Sequence, residues 1–278
     1  MTSKIGVDIS RIDALDKVTG KALFPADLMS SDMMHMKILF AGRPHARVRS
    51  IDVGKAESCP GVIAILTASD VPVNEYGLIN CDQPVLVGPG SNKKGADIAR
   101  FVGDQIALVV AETEEAAIKA RDDILVDWAD LPVITDPYEA MKPDAPMLFE
   151  SRDSNIIKHN KVRAGDVEGA WKNCEVIVES IYHTPWQEHA YLQPEAGISY
   201  IDSDGRITVE VAGQWVHEEQ KQIAHALGLT VDQVRVIHPA IGGAFGGRED
   251  VSVQIVLALA AWHLHERGIS RPVKIVWS

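Results

Sequence analysis

Four glycines within six residues, Gly242-Gly243-Ala244-Phe245-Gly246-Gly247, limit the possible folds of this chain more than any other feature. Glycine has no Cβ, so its backbone can adopt positive φ angles and approach a ligand closely. The run follows a predicted strand at 234–239 and precedes an apolar stretch, 251–262, that predicts a helix buried on most sides. We expect this helix to begin near Asp250 and to direct its free N–H groups at an anionic or oxo-rich ligand. A turn needed only for tight helix–sheet packing is an equally open interpretation.

Two common phosphate-binding loops do not fit this glycine run. Its spacing departs from the G-x-G-x-x-G pattern of dinucleotide-binding folds, and no Gly-Lys-Ser/Thr follows as in nucleoside-triphosphate sites. A nicotinamide-dependent dehydrogenase would also need repeated parallel βαβ units, whereas the second half of the chain is rich in turns and alternating strands. That class is therefore the weaker alternative.

The spacing of apolar residues predicts an α+β protein in two parts. In the first part, a helix follows an N-cap at Thr113 and runs to about Arg121. In the second part, a helix is predicted at 217–227, and the Pro-rich stretch between the parts indicates a linker. The turn-rich segment 72–98 predicts a long loop. Strands are predicted at 34–41, 47–53, 61–67, 105–112, 124–128, 205–212, 234–239 and 272–278.

Charge and cysteine content exclude several classes of protein. The 278 residues include 27 basic and 39 acidic side chains, and the formal charge of -12 has the wrong sign for binding nucleic acid or an anionic membrane. The sequence contains no apolar stretch of signal-peptide or membrane-spanning length, so we expect a cytoplasmic protein. Cys59, Cys81 and Cys174 lie far apart, which argues against a disulfide framework, a zinc ribbon or an iron–sulfur cluster within this chain.

Four segments resemble, in the same order, motifs of the xanthine dehydrogenase/aldehyde oxidase family. Two are similar to its a/b hammerhead domain, and two are similar to its molybdopterin-binding domain. The loop differs from the family's GGGFGG-K/R-E pattern at Ala244, which replaces the commoner glycine. The four segments are RPHARV at 43–48, FVGDQIALVVAE at 101–112, EHAYLQPE at 188–195 and GGAFGGRED at 242–250.

This resemblance implies a domain order for the α+β fold. A hammerhead-like α/β domain with an N-terminal tail would occupy 1–140, and a linker would occupy 141–154. The first, incomplete part of a molybdopterin-binding α+β domain would occupy 155–278. The predicted strand 272–278 stops inside this domain, so we expect a second polypeptide to complete both the fold and the active site, and we expect the chain alone to be inactive.

The resemblance also implies roles for individual residues. Gln214, at the family's spacing before Phe245, would place its amide near an oxo ligand of the metal, and Phe245 would present an apolar face beside it. Glu249 would hydrogen-bond the substrate and stabilise charge during catalysis, so Gln214 and Glu249 are the predicted catalytic residues. An acid in the first turn of the following helix is the alternative for Glu249. Pterin sulfurs rather than side chains would hold the metal, and a cofactor wall of backbone groups would be formed by Gly243, Ala244, Phe245, Gly246, Gly247 and Arg248.

The implied activity is that of a molybdenum hydroxylase subunit. It would oxidise an N-heterocycle, such as a purine or a nicotinate-like compound, or an aldehyde, with water as the oxygen source. The cofactor would be molybdenum-molybdopterin, with the cytosine dinucleotide form as one option. Electrons would pass to iron–sulfur clusters and FAD held by partner subunits. The alternative is a cofactor-free assembly subunit that uses the same fold as an interaction surface.

Overall fold

The predicted α+β fold is confirmed by the computed structural model, which describes residues 5–277. Within these residues the strands are β1 (Met34–Phe40), β2 (Ala46–Asp52), β3 (Val62–Leu66), β4 (Ile98–Ala99), β5 (Gln105–Ala111), β6 (Leu125–Asp130), β7 (Ala196–Ile201), β8 (Ile207–Val211), β9 (Val234–Ile237) and β10 (Val273–Val276). The helices are α1 (Ala14–Val18), α2 (Gly54–Glu57), α3 (Glu114–Asp122), α4 (Pro137–Ala140), α5 (Val167–Lys172), α6 (Val216–Leu227) and α7 (Gln254–Glu266). No helix in this part of the chain is long and apolar enough to cross a bilayer.

The larger sheet combines strands from distant parts of the chain in the order β3-β5-β1-β10-β7-β8-β9. The central pair β1–β10 is parallel, with Met36 opposite Ile275. The pair β8–β9 is also parallel, with Glu210 opposite Ile237, and the remaining neighbours are antiparallel. These directions bring the carboxyl ends of β1, β10, β8 and β9 and the amino ends of β5 and β7 to one edge, here called the site edge. A smaller sheet has the order β4-β2-β6.

Helix α7 is the central element of the main core. Residues from Ile255 to Ala261 are all buried, and α7 packs against β7, β8 and β10. A helix that is apolar on all sides must be covered on all sides, so its sequence alone predicts burial. Helix α3 covers a second, smaller cluster under β5, and the predicted N-cap is confirmed because the Thr113 hydroxyl accepts a hydrogen bond from the Ala116 N–H.

The predicted long loop 72–98 has little regular structure but is firmly attached. The buried side-chain amide of Asn74 links two parts of this loop. It donates to the Leu86 carbonyl at 2.8 Å and accepts from the Leu86 N–H at 3.0 Å. Its Glu75 carboxylate binds Lys93 at 2.7 Å and His225 of α6 at 3.1 Å. The Lys93 ammonium, with His225, holds the pKa of Glu75 below its usual value.

Internal contacts divide the chain into two units: residues up to Leu131 together with those from Ala190, and Pro132–His189. The second unit contains α4 and α5, with N-caps at Asp136 and Asp166. Its Asn155 side chain bonds the backbone at Leu148, Ala140 and Pro146. The domain boundaries at 140 and 155 stay a prediction.

Candidate cofactor-binding site

The glycine-rich loop lies at the site edge, between the end of β9 and the start of α7. Gly243 and Gly246 have φ angles of 108° and 93°, which require glycine, and Phe245 also has a positive φ of 52°. A turn closes the loop, because the Gly247 N–H donates to the Ala244 carbonyl at 2.8 Å. The Phe245 side chain at the apex is 75% exposed. A non-glycine residue in this region carries about 1–3 kcal/mol of strain, so the surrounding structure must hold it there.

The apex presents a row of backbone donors. Within the described residues, the N–H groups of Gly243, Ala244, Phe245 and Gly246 have no acceptor in the chain. Successive N–H groups near a left-handed residue form a concave surface that suits anions and oxygen-rich ligands. The loop is therefore able to bind such a ligand through its backbone.

The amino end of the loop is fixed by Gln193. The Gly242 N–H donates to Gln193 Oε1 at 2.7 Å, and Gln193 is buried. A Cβ at Gly242 would lie 2.7 Å from the Cβ of Gln193, so only glycine allows this approach. The Gln193 amide nitrogen is buried and has no partner within residues 5–277.

The carboxyl end of the loop is fixed by Arg248 and Ser252. The Arg248 guanidinium, 2% exposed, donates to Glu195 Oε1 at 2.5 Å and to the Gln193 carbonyl at 3.0 Å, and it stacks 4.1 Å from the centre of the Tyr191 ring. The Ser252 hydroxyl donates to Glu195 Oε2 at 2.5 Å. The predicted contribution of Arg248 to the cofactor wall would therefore come from its backbone, since its side chain is committed to this network.

The helix after the loop begins later than the sequence indicates. The expected start near Asp250 is wrong, because α7 begins at Gln254. The Gln254 side-chain oxygen accepts from the N–H groups of Ser252 and Val253, at 2.6 and 2.9 Å, so these donors do not face the glycine loop. The exposed Glu249 thus precedes the helix, and its interpretation as a first-turn acid is wrong.

Gln214 lies in the short connection between β8 and α6, and its side chain is exposed. Because β8 and β9 are parallel, this connection and the glycine loop leave the sheet at the same edge. The neighbouring Gly213 packs against Glu219, and the buried Glu219 carboxylate bonds the His238 Nε2 at 2.9 Å. The structure therefore brings Gln214 and the predicted wall residues to a common edge.

Sequence reasoning missed the residues beneath the loop. Gln193 and Glu195 belong to the EHAYLQPE segment, in which no site residue was predicted from the sequence. The exposed Glu188 accepts a hydrogen bond from the His189 N–H at 3.0 Å. A glutamine and a glutamate immediately before the apolar strand β7 were the available signal, since polar residues at a buried strand end need partners.

Comparison with known proteins defines the class. Residues 148–278 match the sequence model of the "Molybdopterin cofactor-binding domain". Residues 19–132 match that of the "Aldehyde oxidase and xanthine dehydrogenase, a/b hammerhead domain". The chain belongs to the xanthine dehydrogenase/aldehyde oxidase family, as the four motifs predict.

Individual relatives support this assignment. The chain is 35% identical over 275 residues to the nicotinate dehydrogenase large molybdopterin subunit of Eubacterium barkeri, covering 99% of this chain and 61% of that protein. It is also 31% identical over 244 residues to the xanthine dehydrogenase molybdenum-binding subunit of Escherichia coli, covering 87% of this chain and 32% of that protein. The chain thus spans less than two thirds of the length of each of these relatives.

Solved structures give the same result. The aldehyde oxidoreductase of Desulfovibrio gigas matches with a TM-score of 0.87 at 26% identity, over 96% of this chain and 30% of that one. The CO dehydrogenase of Oligotropha carboxidovorans matches with a TM-score of 0.81 at 27% identity, over 98% of this chain and 35% of that one.

Proposed function

We propose that this chain holds part of the molybdenum site of a hydroxylase that oxidises an N-heterocycle or an aldehyde, with water as the oxygen source. The observation that carries the proposal is the glycine loop. Its two ends are hydrogen-bonded to buried side chains, and its exposed apex presents backbone N–H groups at the same sheet edge as Gln214. Family membership supplies the chemical context. The substrate range follows the relatives, whose names include nicotinate dehydrogenase, xanthine dehydrogenase and aldehyde oxidoreductase.

The residues of the loop fit a molybdopterin cofactor. Four unbonded N–H groups from Gly243 to Gly246 suit its oxygen-rich groups, and the absence of a Cβ at Gly242 lets the loop pack closely on Gln193. Buried donors without acceptors, Gln193 Nε2 and Arg248 Nε, lie beneath the loop within the described residues. When bound, the cofactor would supply the two-electron oxidation of the substrate.

The chain's own side chains would then orient and stabilise the reactants. The exposed amide of Gln214 can donate and accept hydrogen bonds at the cofactor. The exposed Phe245 ring would exclude water from one side of the site. The Glu249 carboxyl group would hydrogen-bond the substrate and stabilise the charge that develops as the substrate carbon is hydroxylated.

Electrons would leave this chain for other redox groups. We propose iron–sulfur clusters and FAD in partner subunits. Support comes from the relatives, which are described as subunits. The cytosine dinucleotide form of the pterin is part of the same proposal.

Metal and pterin analysis of the complex purified from its native host tests the proposal. We expect about one molybdenum per copy of this chain, with iron and flavin in co-purifying chains. Iron and flavin without molybdenum would instead favour the assembly role. A nicotinamide dinucleotide bound to the purified protein would favour the alternative of a nicotinamide-dependent dehydrogenase.

A further inference from the structure

We infer that Glu195 is a positioning residue that fixes the glycine loop in its ligand-binding shape. The inference rests on the proposed function, because it assigns the loop's rigidity to cofactor retention. Glu195 reaches no ligand itself: its carboxylate is buried beneath the loop at the beginning of β7.

One carboxylate joins the two sides of the site. Its Oε1 accepts from the Arg248 guanidinium at 2.5 Å and from the Tyr191 hydroxyl at 2.6 Å, while its Oε2 accepts from the Ser252 hydroxyl at 2.5 Å. Arg248 and Ser252 follow the glycine run, whereas Tyr191 precedes β7. The carboxyl end of the loop is therefore attached to the segment that leads into the sheet.

The same segment holds the amino end of the loop. The Gly242 N–H donates to the Gln193 side chain at 2.7 Å, and Arg248 donates to the Gln193 carbonyl at 3.0 Å. The segment is itself fixed to the sheet, because the Trp277 N–H donates to the Glu195 carbonyl at 2.8 Å beyond the β7–β10 pairing. Both ends of the loop are thus attached to the segment that leads into β7 of the main sheet.

Charge explains why Glu195 is the critical member. The Arg248 and Glu195 side chains are only 2% and 5% exposed, and a buried charge without its partner is strongly unfavourable. Loss of the Glu195 charge would leave the Arg248 guanidinium without a counter-charge, with only neutral acceptors and the Tyr191 ring around it. The guanidinium would then move toward water and take the loop end with it.

Asp202 provides a matched control, because it lies just beyond the opposite end of β7. Its carboxylate, 9% exposed, accepts from the side chains of Arg206 and Thr208 and from the N–H groups of Asp204 and Arg206. Asp202→Asn and Glu195→Gln therefore both neutralise a multiply bonded carboxylate that flanks the same strand, but only Glu195 faces the glycine loop.

Hydrogen exchange measured by mass spectrometry on the complex, followed by metal and pterin analysis, tests the inference. Glu195→Gln should speed exchange at least about tenfold in the peptide that contains the Gly242, Gly247 and Ser252 N–H groups. It should also reduce molybdenum and pterin per chain to less than half. Asp202→Asn should speed exchange only around 202–206 and should keep the cofactor.

A double variant separates positioning from simple charge balance. Glu195→Gln combined with Arg248→Met removes the unpaired charge, so the unfolding midpoint should recover while loop exchange stays fast. Wild-type exchange in the loop of Glu195→Gln, or full loop protection in the double variant, would overturn the inference. Wild-type complex without molybdenum would overturn the proposed function instead, and the exchange comparison would still decide whether Glu195 holds the loop.

Discussion

Replacement of Gly213 by alanine tests the packing next to Gln214. A Cβ at position 213 would lie 1.9 Å from Glu219 Oε1 and 2.6 Å from its Cδ, so the two groups cannot keep their places. Glu219 is 2% exposed and bonds His238 at 2.9 Å. The carboxylate must either rotate away from His238 or displace the backbone that precedes Gln214.

The cost can be estimated from these contacts. Overpacking of a buried site costs about 1–3 kcal/mol, and loss of a hydrogen bond to a charged group costs about 1.5–3 kcal/mol. When the carboxylate rotates away from His238 both costs apply, so we expect Gly213→Ala to lower the free energy of unfolding by about 2.5–6 kcal/mol. For a protein of this size, about 1 kcal/mol corresponds to a shift of about 2–4 °C, so the midpoint of thermal unfolding should fall by at least about 5 °C.

Two further variants make the result decisive. Gly54→Ala is the matched control, since its Cβ would meet only the exposed Asp52 Oδ1, at 3.3 Å, and should change stability by no more than about 1 kcal/mol. In a Glu219→Ala background the clash is absent, so Gly213→Ala should cost almost nothing there. An equal cost of Gly213→Ala in both backgrounds, measured by thermal unfolding, would refute the reasoning.

Three other predictions concern separate parts of the molecule. Glu249→Ala should keep molybdenum near the wild-type level and lower kcat/KM by about tenfold to a thousandfold, and steady-state kinetics with metal analysis would reveal a loss of molybdenum that contradicts this role. Burial, the larger cause, and the hydrogen bond to Glu210, the second cause, raise the pKa of Tyr200 to about 12. Because a free tyrosine has a pKa of about 10, the stability from the protonated phenol is complete below that pH and lost as the pH rises through about 12. Spectrophotometric titration should show one phenol ionising near pH 12 that is missing from Tyr200→Phe, and an unchanged titration curve would contradict the assignment. Phe245→Gly removes the strain of the left-handed backbone at this position, whereas Phe245→Ala retains it. The glycine variant should therefore be about 1 kcal/mol more stable than the alanine variant in urea unfolding. Equal midpoints for the two variants would argue against strain.

Local elements were predictable because local physics determines them. The alternation of Ile207, Val209 and Val211 predicted β8, and all three side chains are buried. The N-cap at Thr113 predicted the start of α3 to the residue, because the helix begins at Glu114. The start of α7 was not predictable in the same way, because the apolar residues Val251 and Val253 extend the helical pattern while Ser252 between them bonds Glu195 instead.

Contacts between distant segments had no local signal. The pairing of β1 with β10 joins residues from opposite ends of the chain, and strand patterns do not specify partners. The Glu195–Arg248 pair is likewise separated by 53 residues. A buried arginine requires a partner, but only the fold shows which carboxylate supplies it.

The glycine loop is anchored at both ends and strained at its apex. This combination favours a ligand-binding role over that of a turn needed only for helix–sheet packing. A turn that served only to join β9 to α7 would use glycine or a polar residue at the left-handed position. This loop instead places an exposed phenylalanine there, next to four consecutive N–H groups without acceptors in the described chain. Backbone strain at such a position persists only where surrounding contacts impose it, and those contacts come from Gln193 and Glu195. Under the proposed function the strain belongs to a pre-formed surface, and pre-formed donors would bind an oxygen-rich ligand without the cost of ordering the loop at the moment of binding.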